Sequence, residues 1–407
     1  MLRRPIRPLS AAWWHCAGRW LAAACLVLLA GMTAGPCPSQ AAAPAGGASP
    51  APPSGDPSLE RMLGAMLMCG FRGTELAPGD PFLAAIASGR VGNVILFDRD
   101  VTTGTERNIR SPEQVRRLTA SLRAAAPGPI FIAVDQEGGQ VRRLKPQKGF
   151  FDLPAAQRLG QGSLMETKET ALRLGEELAG LGINVDMAPV VDVDTNPLNP
   201  AIGRLGRAFS SDAEIVARHA LAFGQALDQH GVVPVLKHFP GQGCAREDSH
   251  LGLPDITQCW DGATDLLPYA EIFRAGWPGM VMPGHLFHAR LDPQLPATLS
   301  PMVVTGLLRQ GLGWQGVVIS DDMQMRAIAG RYGLKESILL AVRAGVDILL
   351  YGNNLEWEDG LPDKVFETLR ALVEEGSIPV ERVRRSWERI AALHAHQRPP
   401  SPATQTP

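Results

Sequence analysis

The chain has 407 residues, 45% of them hydrophobic and 20% charged, with a formal net charge of -2. That is globular composition with ample material for a large core, and it gives no reason to expect nucleic acid or an anionic membrane surface as partner. No Cys-x-x-Cys or His-Glu-x-x-His spacing suggests a metal, and no cofactor motif is present.

Residues 1–43 read as a secretory signal peptide. Arg3, Arg4, Arg7 and Arg19 precede the first acid, Asp56; an apolar run follows over 20–32, then small residues over 39–43. A basic start, a short apolar centre and an Ala-rich end mark export, and the run is short for a bilayer span of about 20 residues. The mature protein is therefore expected outside the cytoplasm, periplasmic or extracellular, with no stable membrane insertion. An uncleaved anchor or a lipidated cysteine are the alternatives. Residues 44–57, rich in Ala, Pro, Gly and Ser, read as a flexible linker and 398–407 as a disordered tail. Cys16, Cys25 and Cys37 fall in the export segment, and an oxidising compartment would allow one Cys244–Cys259 bridge among the rest.

Over 58–397 short apolar runs alternate with helix-like segments. Strands are expected at 91–97, 129–134, 183–193, 232–238, 279–284, 316–320 and 346–351, and helices at 112–125, 168–181, 213–230, 335–344 and 363–375. This alternation implies a parallel sheet, and seven or eight repeats fit an α/β fold with a single (β/α)8 TIM-type barrel better than a doubly wound sheet. A monomer is expected. Asp135, Asp192, Lys237, His238, His285, Asp321 and Asn353 all fall at or just past the C-terminal end of an expected strand, the face on which barrel active sites assemble.

Four segments carry chemistry. In 235–250, Lys237 and His238 close a strand and a Gly/Pro loop delivers Asp248-Ser249-His250. An Asp-x-His alone is an ordinary turn with a capping acid. Beside a cation, a histidine and glycines, it reads as a carboxylate orienting an imidazole that serves as acid and then base. Segment 316–323 ends a buried strand on Ser320-Asp321-Asp322, either an N-cap with two first-turn acids or the place for a glycosidase nucleophile. Segment 134–144 offers Asp135, a glycine pair and Arg143, and 202–209 adds Arg207. Carboxylates accept from sugar hydroxyls, and arginines donate to carbonyl or carboxylate oxygens.

Taken in order, Asp-Gln-Glu-Gly-Gly, Asn-Val-Asp-Met-Ala-Pro, Lys-His-Phe-Pro-Gly, Asp-Ser-His, Met-Pro-Gly-His and Ser-Asp-Asp-Met resemble glycoside hydrolase family 3, in its bacterial β-N-acetylglucosaminidase branch. The resemblance implies a retaining β-N-acetylhexosaminidase whose glycan substrate is a peptidoglycan fragment or chitin-type oligomer ending in β-linked N-acetylglucosamine. It implies Asp321 as nucleophile, Asp248 and His250 as the acid/base pair, and sugar contacts at Asp135, Arg143, Arg207, Lys237, His238 and His285. Gln242 departs from the histidine that many relatives carry there. Two rival readings stand beside it. A histidine acid leaves the glycosyl-enzyme open to phosphate, hence a phosphorylase; a dead relative would be a non-catalytic glycan-binding protein, although Asp321, Asp248 and His250 are all present.

Protein isolated from the native cell is expected to begin after Ala41–Ala43. N-terminal sequencing checks this, and an intact Met1 in the cytosolic fraction would refute export.

Overall fold

The computed structural model describes residues 57–248 and 252–397. The expected signal peptide, nearly all of the linker, the tail and His250 lie outside the described residues. The strands are β1 (Leu67–Gly70), β2 (Asn93–Leu96), β3 (Phe131–Val134), β4 (Gln136–Gly138), β5 (Val141–Arg142), β6 (Val185–Asp186), β7 (Val233–Phe239), β8 (Met280–Pro283) and β9 (Leu349–Tyr351). Seven of them form one parallel sheet in the order β8–β7–β6–β3–β2–β1–β9, and β4 and β5 form a small antiparallel hairpin.

Helices return the chain between parallel strands: Pro112–Ala125 before β3, Leu164–Gly180 before β6, Ala213–Asp228 before β7 and Leu334–Ala344 before β9. The first three start where Ser111, Ser163 and Asp212 accept a backbone N–H from their first turn. Because alternate strand residues point to opposite faces, the sheet feeds two cores. Leu67, Val94, Ile132 and Val134 pack with the helices. Met68, Ile95, Phe131, Ala133, Val233 and Met280 form a second cluster, which Ile390 and Leu393 of the final helix Val380–His396 complete.

The expected closed (β/α)8 barrel is not what the chain forms. The curled sheet has seven hydrogen-bonded strands and stays open at one position, where segment 316–320 makes only single bridges, Val281 with Val318 and Ile319 with Ile348. Side chains take donors that a ladder would use. The Asp347 carboxylate accepts the Val318 N–H at 3.0 Å, and the Ser320 hydroxyl accepts the Leu350 N–H at 2.9 Å. The expected strand 183–193 likewise shrinks to β6, since Pro189 has no N–H to give. β1 was not expected at all: Leu-Met-Cys-Gly lacks β-branched residues and continues a helical run.

Asp347 also gathers Arg309 at 2.7 Å, Arg389 at 3.0 Å and Arg382 at 3.4 Å, together with the Ser386 hydroxyl at 2.7 Å. Asp347→Ala should cost about 3–5 kcal/mol, because it strands buried guanidinium charge. Urea unfolding checks this; a loss under about 1 kcal/mol would mean that the arginines rehydrate freely.

Candidate active site

Past β3 the chain turns sharply, and the buried Gln136 organises the turn. Its side-chain oxygen accepts the Arg143 and Leu144 N–H groups, both at 3.0 Å, and its own N–H donates to Asp186 at 2.9 Å. With Gln136 facing inward, Asp135 and Glu137 on either side both reach the cleft. Gly138 has φ +93°, and a Cβ there would sit 2.0 Å from the Pro154 carbonyl oxygen, so only glycine fits.

Lys237, near the end of β7, brings its Nζ to 3.1 Å from Asp135 and 2.7 Å from Glu137. Arg143 donates to the other Asp135 oxygen at 3.1 Å, and Arg207 grips Glu137 with two bonds of 2.7 and 2.8 Å. Burial alone would raise both carboxyls, but the adjacent cations outweigh it. Lys237 and Arg143 hold Asp135 well below the usual range, and Arg207 and Lys237 bring Glu137 down to about 2. Burial works against the Lys237 charge too, yet Glu137 and Asp135 raise its pKa. Burial pushes the Asp186 carboxyl well above the usual carboxylate range.

His238 places Nδ1 2.7 Å from the buried Asp192 carboxylate. That bond fixes the Nδ1–H tautomer and leaves Nε2 to accept from Arg207 at 3.4 Å. Asp192 also takes the Gln242 N–H at 2.6 Å, which locks the loop after β7. Gln242 is itself buried and lines the cleft.

Opposite stands Asp321, one of whose oxygens accepts the Asp322 N–H at 2.8 Å. The neighbouring Asp322 has a structural part in this turn. Its Oδ1 accepts the Gln324 N–H at 3.0 Å, and a Cβ on Gly352 would lie 2.5 Å from its Oδ2. His285 is buried, with Nδ1 2.9 Å from the Thr298 hydroxyl and Nε2 donating to the Asp322 carbonyl at 3.0 Å. It supports the turn that presents Asp321.

Asp135, Arg143, Arg207, Lys237, His238, Asp248 and Asp321 thus line one cleft of about 480 Å³, together with Phe97, Asp98, Lys145 and Asn354. Sequence reasoning named those seven, marked Asp192 by its strand-end position alone, and did not single out Glu137. The signal for Glu137 was its place two residues after Asp135 on an extended segment, which puts both on one side. No group of His, Cys, Asp or Glu among the described residues is arranged to hold a metal ion.

A family model described as the glycosyl hydrolase family 3 N terminal domain matches residues 59–393. Beta-hexosaminidase A of Pseudoalteromonas piscicida is 34% identical over 375 residues, 83% of this chain and 61% of that protein. Beta-hexosaminidase LpqI of Mycobacterium tuberculosis is 34% identical over 84% of this chain and 85% of its own length. The solved structure of a glycoside hydrolase family 3 beta-N-acetylglucosaminidase from a Paenibacillus species aligns with a TM-score of 0.77 and 36% identity, over 84% of this chain and 63% of that one. The chain therefore spans less than two thirds of the first and third of these relatives.

Glu137→Gln should destabilise the fold by about 3 kcal/mol at neutral pH, since Arg207 and Lys237 lose their shared carboxylate. The folded-state pKa of Glu137 is depressed from 4.5 to about 2, so its contribution is fully present above pH 4.5 and is lost as pH falls through about 2. The stability gap between wild type and variant should therefore be constant from pH 5 to 8 and shrink toward pH 3. Urea midpoints across that range test it, and a gap indifferent to acid would refute the ion-pair account.

Proposed function

The chain belongs to glycosyl hydrolase family 3, and from that premise we propose that it is a retaining β-N-acetylhexosaminidase acting on terminal β-linked N-acetylglucosamine. The observation that carries this is one cleft in which Asp321 and Asp248 share walls with the Asp135–Lys237–Arg143 cluster, in a chain 34% identical to proteins named beta-hexosaminidase.

In this reading the cluster binds the sugar. Asp135 accepts from ring hydroxyls, while Lys237 and Arg143 donate to hydroxyl or acyl oxygens, and all three are held by one another before substrate arrives. Asp321 attacks the anomeric carbon as the glycosidic C–O bond breaks, and His250, oriented by Asp248, gives its proton to the departing oxygen. Water then attacks the glycosyl-Asp321 ester, losing a proton to His250 and releasing the sugar with its configuration retained. The Asp322 turn and the His285 bond to its carbonyl support this geometry by fixing the backbone that presents Asp321. Export is part of the proposal. The Cys244–Cys259 disulfide is the observation that supports it, since such bonds persist in oxidising compartments.

Asp321→Asn should lose several orders of magnitude in kcat on an aryl β-N-acetylglucosaminide while remaining folded, because both chemical steps use that carboxylate. A fluorinated glycosyl trap followed by peptide mass spectrometry should label Asp321. A label on Asp322, or near-normal turnover by the variant, would remove Asp321 from the role.

A further inference from the structure

Gln242 has a committed backbone and an uncommitted side chain. Its N–H donates to Asp192 at 2.6 Å, and its carbonyl accepts from the Asn199 amide at 2.7 Å and from the Ala245 N–H at 3.0 Å. The residue is 3% exposed and lines the cleft, yet its Nε2 has no hydrogen-bond partner among the described residues. An enclosed amide N–H without an acceptor is costly, and nothing in the described fold offsets that cost. The charged donors of the cleft differ, for Lys237, Arg143 and Arg207 are each held by Asp135 or Glu137. Gln242 thus presents a neutral donor whose partner must come from outside the described fold.

The surroundings of Gln242 indicate the chemistry of that partner. The Asn199 side chain that holds its carbonyl also accepts the Ala201 and Ile202 N–H groups, at 2.9 and 3.1 Å. One side chain therefore fixes Gln242 and Ala201 together, and Ala201 and Leu205 bring apolar surface to the same cleft. Sugar hydroxyls both donate and accept, and the charged cluster around Asp135 can serve them. A 2-acetamido group is a neutral carbonyl ending in a methyl, which suits a neutral N–H beside apolar carbon. The carboxamide turns on a broad terminal torsion, so Nε2 can meet such a carbonyl without backbone movement.

We propose that Gln242 is a specificity-determining residue, whose Nε2–H donates to the carbonyl oxygen of the sugar's 2-acetamido group while Ala201 and Leu205 pack against its methyl. The proposal rests on the reading of the substrate as a β-linked N-acetylglucosamine. A site built to hydrogen-bond one substrate group discriminates against the analogue lacking it, because its own buried polar atom then stays unpaired. Gln242 therefore contributes to the preference for an acetamido sugar over the sugar that carries a hydroxyl at the same carbon.

The test compares wild type with Gln242→Met on the dinitrophenyl β-N-acetylglucosaminide and the dinitrophenyl β-glucoside, whose activated leaving group keeps slow hydrolysis measurable. Methionine keeps the unbranched length and removes the donor, and Gln242→Leu repeats the comparison should the first variant fail to fold. On the acetamido substrate kcat/KM should fall about tenfold or more, while on the glucoside it should change less than about threefold. The thermal midpoint of Gln242→Met should equal or exceed that of wild type, because the amide that is removed gives up no bond to the described residues. Parallel losses on both substrates, undiminished turnover of the acetamido substrate, or a folded variant that melts well below wild type would overturn the proposal. A wild-type enzyme that cleaves neither substrate, or prefers the glucoside, would instead sink the functional reading beneath it.

Discussion

A buried ammonium group survives only where carboxylates meet it, and Lys237 draws both of its partners from the turn after a strand with which its own strand does not pair. Asp135 and Glu137 follow β3, Lys237 belongs to β7, and β6 lies between the two in the sheet. β6 is only two residues long, so ion pairs span a gap where backbone pairing is thin. Arg143 and Arg207 are held by the same two carboxylates. The direction in which three cations face the cleft therefore follows from one cluster. Desolvation offsets much of the attraction in such an arrangement, and its value here is in orientation more than in net stability.

The other wall is built differently. Around Asp321, bonds to and from the backbone shape the turn: the Asp322 N–H donates to Asp321, the Gln324 N–H donates to Asp322, and His285 bridges Thr298 and the Asp322 carbonyl. One wall of the cleft is thus held by ion pairs, while backbone hydrogen bonds shape the turn that carries Asp321.

The order of helices and strands was largely legible from periodicity, and the helix Pro112–Ala125 falls where its Ser111 cap and its Ala-rich end place it. Closure of the sheet was not. Val-Val-Ile-Ser reads as a strand, and nothing local reveals that Asp347, 29 residues on, takes the Val318 N–H. Polar residues at strand ends disclosed Asp135, Lys237, His238 and Asp321, because a run of apolar residues that stops on a charge at a buried position is costly without a purpose. Glu137 stayed hidden in a turn-like Gln-Glu-Gly-Gly, where its partner Arg207 lies 70 positions away. Strand-end position marked His285 as well, and it donates to the Asp322 carbonyl beside Asp321.

The second core of the sheet has a consequence in time. Its strands run from β1 onward, but Ile390 and Leu393, which complete it, come from the last described helix, and β1 itself pairs with β9, whose register joins Met68 to Leu350. Pairings so remote in sequence form slowly, because loop-closure entropy is lost before any contact compensates for it. During synthesis the amino-terminal strands thus wait, with half of their apolar surface uncovered, until the carboxyl-terminal helix has emerged.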